Sequence, residues 1–120
     1  GMRVQASHTN LLGICHGGVL MTLGDIAASW GINHKRGTFG GAPTLNLSFD
    51  FVSAAREGDW LEAIAERASI KRRVAFSSGV VMCAGKLICR FSGGFYLPDH
   101  EGLQPNREYV QKLQNARREG

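Results

Sequence analysis

The segment Gly17–Asn33, GGVLMTLGDIAASWGIN, decides the fold of this chain, together with the run His8–Gly18, HTNLLGICHGG, that leads into it. Advancing about 100° per residue from Val19 gathers Val19, Leu20, Leu23, Ile26, Ala27 and Trp30 on one apolar stripe, the pattern of a helix that faces a core. Asp25 falls nearly opposite, among Met21, Thr22, Ala28, Ser29 and Ile32, with no Lys, Arg or Glu beside it. A helix without a charged face is normally covered all round, so the second face is expected to meet another layer or another subunit. An ionised carboxylate buried there is costly unless it is paired or hydrogen-bonded. Either Asp25 bonds Thr22 or Ser29 and fixes a packing register, or it belongs to a site.

The approach to the helix reads Asn10, Gly13, His16, Gly17, Gly18 at intervals of three, three, one and one. Adjacent glycines let a ligand come close to bare backbone. The first helical turn leaves N–H groups without intrahelical partners and adds the positive end of the macrodipole. Amides of Gly17 or Gly18 aimed at an acyl oxygen would stabilise the oxyanion that forms when a carbonyl is attacked. The plainer reading of Gly-Gly is a tight turn.

The combination HTNLLGICHGGVLMTLGDIA resembles the PaaI-like group of hotdog-fold acyl-CoA thioesterases. Their signature is Asn, a Gly three on, His-Gly-Gly three further, and Asp eight residues after the first of those glycines. The resemblance continues through PTLNLSFDFVSAAREGDWLEA and GKLICRFSGGFY, covering Arg3 to Leu97. It implies that Asp25 is general base or nucleophile and that the Gly17 amide is the oxyanion donor. Asn10 would hold the thioester or the attacking water, Thr44 would stand as the small hydroxyl residue near the carboxylate, and His16 would orient the loop. It also implies a site shared between subunits, with Asn10 and Gly17 of one chain facing Asp25 and Thr44 of the other. A homodimer is then the minimal active unit, with a homotetramer left open. Coenzyme A, part of the substrate rather than a cofactor, would set its phosphates on Lys71, Arg72 and Arg73, with Arg56 a second candidate. A solvated turn is the alternative for that charge run.

Beyond the helix the apolar period changes from 3.6 to 2. Leu45, Leu47, Phe49 and Phe51 alternate with Thr44, Asn46, Ser48 and Asp50, predicting a strand over Thr44–Val52. Leu61–Ser69, Val74–Ala84 and Leu87–Tyr96 read as further strands, with Gly85-Lys86 punctuating a hairpin and Gly93-Gly94 marking a bulge or close backbone approach. A short first strand, Arg3–Ala6, precedes the motif. One helix followed by four strands predicts an α+β domain whose antiparallel sheet curls round that helix, the hotdog arrangement of the resembled family. The expected division is Gly1-Met2 as an expression scar, 3–97 as the thioesterase domain, and 98–120 as a tail. In that tail Pro98 and Pro105 break the chain, and Asn106–Arg118 forms a short surface helix.

With 120 residues and a 43% hydrophobic share, the chain fits one globular domain. No apolar run approaches the ~20 residues needed to cross a bilayer, and no secretory segment is present, so a cytoplasmic location is expected. Cys15, Cys83 and Cys89 are odd in number and lack metal-type spacing, which points to reduced thiols and no metal. Adjacency of Cys15 and His16 does not make a nucleophile and its base. A net charge of +4 permits an anionic partner. Nucleic acid is not expected, because no aromatic residues interleave with Lys71–Arg73.

The expected activity is hydrolysis of a small aromatic or medium-chain acyl-CoA, with Met21 and Ile32 lining the acyl pocket and Trp30 packing in the core. One alternative is a non-catalytic hotdog module that holds acyl-CoA. A second is an acyl-CoA dehydratase, which pairs an acid with a His in a motif that none of His8, His34 or His100 matches.

Overall fold

A computed structural model describes residues 1–37, 40–98 and 107–119. In chain order it contains β1 (Met2–Arg3), a 3₁₀ turn (Ala6–His8), α1 (Gly17–Arg36), β2 (Thr44–Phe51), β3 (Trp60–Ile70), β4 (Val74–Cys83), β5 (Lys86–Tyr96) and α2 (Arg107–Glu119). The strands form one antiparallel sheet in the order β1-β3-β4-β5-β2. It curls round α1, which packs on β3, β4, β5 and β2.

α1 is entered from His16, the residue before its first, whose carbonyl accepts the N–H groups of Val19 (3.0 Å) and Leu20 (3.3 Å). It runs three residues past Asn33 and stops at Gly37, where φ is 70° and the N–H turns back to the Asn33 and His34 carbonyls. His34, Lys35 and Arg36 suit the negative end of the helix dipole.

The buried line of α1 is Leu20, Gly24, Ala28 and Ile32, at i, i+4 spacing, flanked by Val19, Leu23 and Ala27. This corrects the expected stripe. Ala28 and Ile32 belong to the core, whereas Ile26 and Trp30 are 51% and 58% exposed. The reason is close approach. A Cβ on Gly24 would lie 2.6 Å from Phe49 Cε1, and one on Gly31 would lie 2.6 Å from Ala65 Cβ. Small residues press the helix onto the sheet, and a count of large apolar side chains overlooks them.

The sheet places Leu61, Ala75, Val81, Cys89, Phe91 and Phe95 in the core with the helix. Gly79 admits the β3 backbone, since a Cβ there would sit 2.0 Å from the Ile64 carbonyl oxygen. Ala84 and Gly85, at φ 47° and 81°, make the tight turn between β4 and β5. Gly93 is a close approach, with Leu47 Cδ2 and the Asn46 carbonyl where its side chain would be. The irregularity expected near Gly93-Gly94 lies on the neighbouring strand, where the register slips between Thr44 and Asn46. β1 is shorter and earlier than Arg3–Ala6, because Ala6 already opens the 3₁₀ turn and the Gln5 N–H donates to His8 Nδ1 at 2.9 Å.

α2 forms as the tail pattern predicts and buries no residue. The expected helix start at Asn106, with Pro105 and His100, lies outside the described residues. No helix is long and apolar enough to cross a membrane among the described residues.

Candidate active site

The loop ahead of α1 is pinned at its base and at its tip. Thr9 bridges Cys15, Ile14 bridges Arg56, and the Cys15 N–H donates to the Ala55 carbonyl at 2.8 Å. Inside the loop, Asn10 Oδ1 accepts the N–H groups of Leu12 (2.9 Å) and Ile14 (3.2 Å). Gly13, at φ 71°, closes the turn by donating to the Asn10 carbonyl. The acceptor end of the Asn10 side chain therefore holds its own loop. Its Nδ2 donors meet no acceptor among the described residues.

At the helix N-terminus the N–H groups of Gly17 and Gly18 also meet no acceptor among the described residues, as the first turn of a helix requires. The ring of Phe51 stands over Gly17, where a Cβ would be 3.2 Å from Phe51 Cζ, whereas a Cβ on Gly18 would meet nothing within 4 Å. A cleft of about 370 Å³ opens here, lined by Ile14, Leu20, Phe51, Val52 and Ala55. His16 acts through its backbone: its N–H donates to the His8 carbonyl at 2.8 Å and its carbonyl receives the first helical N–H groups. The side chain is exposed and makes no capping bond.

Two turns further along, the half-buried Asp25 looks toward the start of β2. Its Oδ1 accepts the Thr44 hydroxyl at 2.7 Å. Thr22, the partner that a packing register would use, instead donates to the Gly18 carbonyl at 3.0 Å. Thr44 lies opposite Phe95, on the helix side of the sheet, and the register slip that follows makes Leu45 an extra residue beside it.

Eight residues separate Gly17 from Asp25, about 12 Å along the helix axis. One chain thus does not bring the bare amides to the carboxylate. The cations divide in the same way. Arg56 is bridged to Ile14 near the helix N-terminus. Lys71, Arg72 and Arg73 occupy the β3–β4 turn at the Thr44 end, where the Arg73 carbonyl receives the Leu97 N–H and the Pro43 carbonyl receives the Tyr96 N–H. The whole of β3, eleven residues or about 35 Å of extended chain, lies between these groups. The candidate residues therefore fall into two separate groups: Asn10, Gly17 and Arg56 in one, Asp25, Thr44 and the basic turn in the other.

The cysteines belong to neither group. Cys15 and Cys89 are buried. Burial raises the pKa of both thiols, and for Cys89, with Cys15 nearby, it is pushed up to about 11. Such thiols stay protonated and non-nucleophilic near neutral pH. Phe51 over Gly17 and the register slip at Leu45 have no counterpart in the sequence reading, since neither leaves a mark in local composition.

A profile of the thioesterase superfamily matches residues 12–89. The chain belongs to that superfamily. It is a thioester hydrolase by family, with the hotdog fold of PaaI-like proteins. A Pseudomonas aeruginosa protein carrying an esterase designation is 34% identical over 97 residues, spanning 81% of this chain and 72% of its own. A mutant of phenylacetic acid degradation protein PaaI from Thermus thermophilus has a similar structure, at 31% identity and a TM-score of 0.72, over 80% of each chain. A Streptococcus pneumoniae thioesterase-type protein solved with coenzyme A shares the fold, at 20% identity and a TM-score of 0.67, over 79% of this chain and 75% of that one. The superfamily match begins just beyond Asn10.

Proposed function

We propose that this member of the superfamily is an acyl-CoA thioesterase acting on a small aromatic or medium-chain acyl group, and that its site forms between two copies of the chain. The observation that carries this reading is the division of the candidate groups along α1, with bare amides at its start and a hydroxyl-anchored carboxylate two turns on. β2 is an edge strand of eight residues, and Leu45, Phe51 and the adjoining Val52 are each more than half exposed. An edge of that kind is a template for a second strand.

Antiparallel pairing of two β2 strands about a two-fold axis sets the Thr44 end of one against the Phe51 end of the other. Asp25 and Thr44 of one protomer then meet Asn10 and Gly17 of its partner, twice per dimer. The same operation brings Arg56 of one chain toward Lys71, Arg72 and Arg73 of the other, a cationic setting for coenzyme A phosphates.

In this arrangement the thioester oxygen lies at the Gly17 N–H, where the helix dipole stabilises the developing oxyanion. The Thr44 hydroxyl holds Asp25 Oδ1, leaving Oδ2 to take a proton from a water that attacks the carbonyl, or to attack the carbonyl itself and form an anhydride that water then hydrolyses; in either case the C–S bond breaks and the thiolate leaves and takes up a proton. The Asn10 Nδ2 donors orient the thioester or the water. The products are the carboxylic acid and coenzyme A thiol, and the reaction draws on protein groups and water alone. Odd, unpaired cysteines fit a cytoplasmic enzyme. Asp25→Asn tests the assignment: the dimer persists by light scattering while kcat for acyl-CoA hydrolysis falls about a thousandfold or more. Undiminished hydrolysis across an acyl-CoA panel removes Asp25 from the chemistry.

A further inference from the structure

We infer that Leu11 and Leu12 of one protomer, with Met21 and Leu45 of the other, wall the acyl-binding pocket and set the acyl length the enzyme prefers. The inference rests on the two-chain site proposed above. Leu11 is fully exposed and Leu12 is 74% exposed, at the tip of the loop that Asn10 Oδ1 and Gly13 hold shut. Two neighbouring leucines on a tip pinned by hydrogen bonds are held in water rather than merely fraying into it. They follow directly on Asn10, so whatever Asn10 touches lies beside them.

The other half-site carries a matching pair. Met21 precedes Asp25 by one helical turn on the same flank and is 40% exposed. Leu45 is the extra residue of the register slip next to Thr44 and is 58% exposed. Ile32, expected to share this role, is fully buried and lines nothing. Ile26 and Trp30 face a different cleft, with Ala63 and Ala65 of β3.

Joining the half-sites surrounds the thioester carbonyl with four uncharged side chains, two from each chain. Such a wall takes an uncharged acyl group of several carbons or an aryl ring, and disfavours acyl groups ending in a carboxylate, which would lose hydration without a counter-charge. Each methylene seated against these side chains adds binding that a two-carbon acyl group lacks.

Leu11→Ser and Leu45→Ser, made separately, test the inference because each alters an exposed side chain, in opposite half-sites. With octanoyl-CoA and acetyl-CoA as probes, each variant is expected to lower the octanoyl to acetyl ratio of kcat/KM about tenfold, with the dimer intact by light scattering. An unchanged ratio in both overturns the inference. So does an equal loss on both substrates accompanied by dissociation, which assigns the leucines to the interface only. Asp25→Asn run alongside separates this failure from that of the underlying reading. Retained hydrolysis in that variant overturns the catalytic assignment, while the two ratios still report on the wall.

Discussion

Gly24→Ala is expected to unseat α1 from the sheet although it replaces one small residue by another. The added Cβ would lie 2.6 Å from Phe49 Cε1, 2.8 Å from Phe49 Cζ and 3.3 Å from Phe91 Cδ1. Carbon atoms at rest sit about 3.5–4.0 Å apart, so the contact needs relief of roughly 1 Å. Phe49 has little room to supply it, with the rings of Phe51 and Phe91 both centred 6.1 Å away. Overpacking of this sort costs about 1–3 kcal/mol, against a gain of about 0.8–1.0 kcal/mol for Ala over Gly within a helix. The balance is a loss of about 1 kcal/mol, seen as a fall in Tm of about 4 °C or more.

Gly18→Ala is the control, since its Cβ meets nothing within 4 Å, and it holds or raises stability. Lifting the helix also stretches the 2.7 Å bond from Thr44 to Asp25, so Gly24→Ala loses activity beyond its loss of stability. Urea and thermal melts of the two variants decide the matter. A Gly24→Ala protein as stable as Gly18→Ala refutes the close-packing account of this helix.

Thr44→Val keeps the shape of the side chain but removes the hydroxyl from Asp25, and is expected to change stability by about 1 kcal/mol or less while lowering kcat about ten- to hundredfold, as urea melts and steady-state assays will show. Ala84→Asn suits the φ of 47° at the β4–β5 turn and should stabilise the fold by about 0.5–1 kcal/mol in urea melts. Cys89 supplies a pH dependence. Its pKa rises from 9.0 to about 11 on folding, so the fold favours the neutral thiol; that stabilisation is complete below pH 9 and is lost as the pH climbs toward 11, by about 2–3 kcal/mol. Urea melts at pH 8 and pH 11 should show this slope in the wild type and a shallower one in Cys89→Ala.

Periodicity alone made much of the fold legible. The alternation of Leu45, Leu47, Phe49 and Phe51 with polar residues located β2, and the helical spacing of apolar residues after Gly17 located α1. The face that α1 buries was misread, because Gly24 and Gly31 shape the contact by what they lack, and the burial of Ala28 and Ile32 follows from that. In the candidate site, the spacing of Asn10, Gly17 and Asp25 singled out residues that the structure sets in the loop ahead of α1, at its N-terminus and two turns along it. The resemblance set Thr44 near the carboxylate, and the bond to Asp25 is there, across 19 residues of chain. Two features stayed out of reach: Phe51 reaches Gly17 across the β2–α1 packing, and the separation of Arg56 from Lys71–Arg73 depends on the length of β3. Each arises from the path of the chain through the sheet, which no local window of residues encodes.

Mixing two disabled proteins measures the shared site most directly. Asn10→Asp retains oxygen acceptors for the N–H groups of Leu12 and Ile14 but removes the Nδ2 donors, and Asp25→Asn removes the base. If each site takes Asn10 from one chain and Asp25 from the other, subunit exchange yields mixed dimers with one intact site, and an equimolar mixture recovers about a quarter of wild-type hydrolysis. Activity that stays at the sum of the two parents after exchange, with mixed dimers verified by mass spectrometry, contradicts a site built across the subunits.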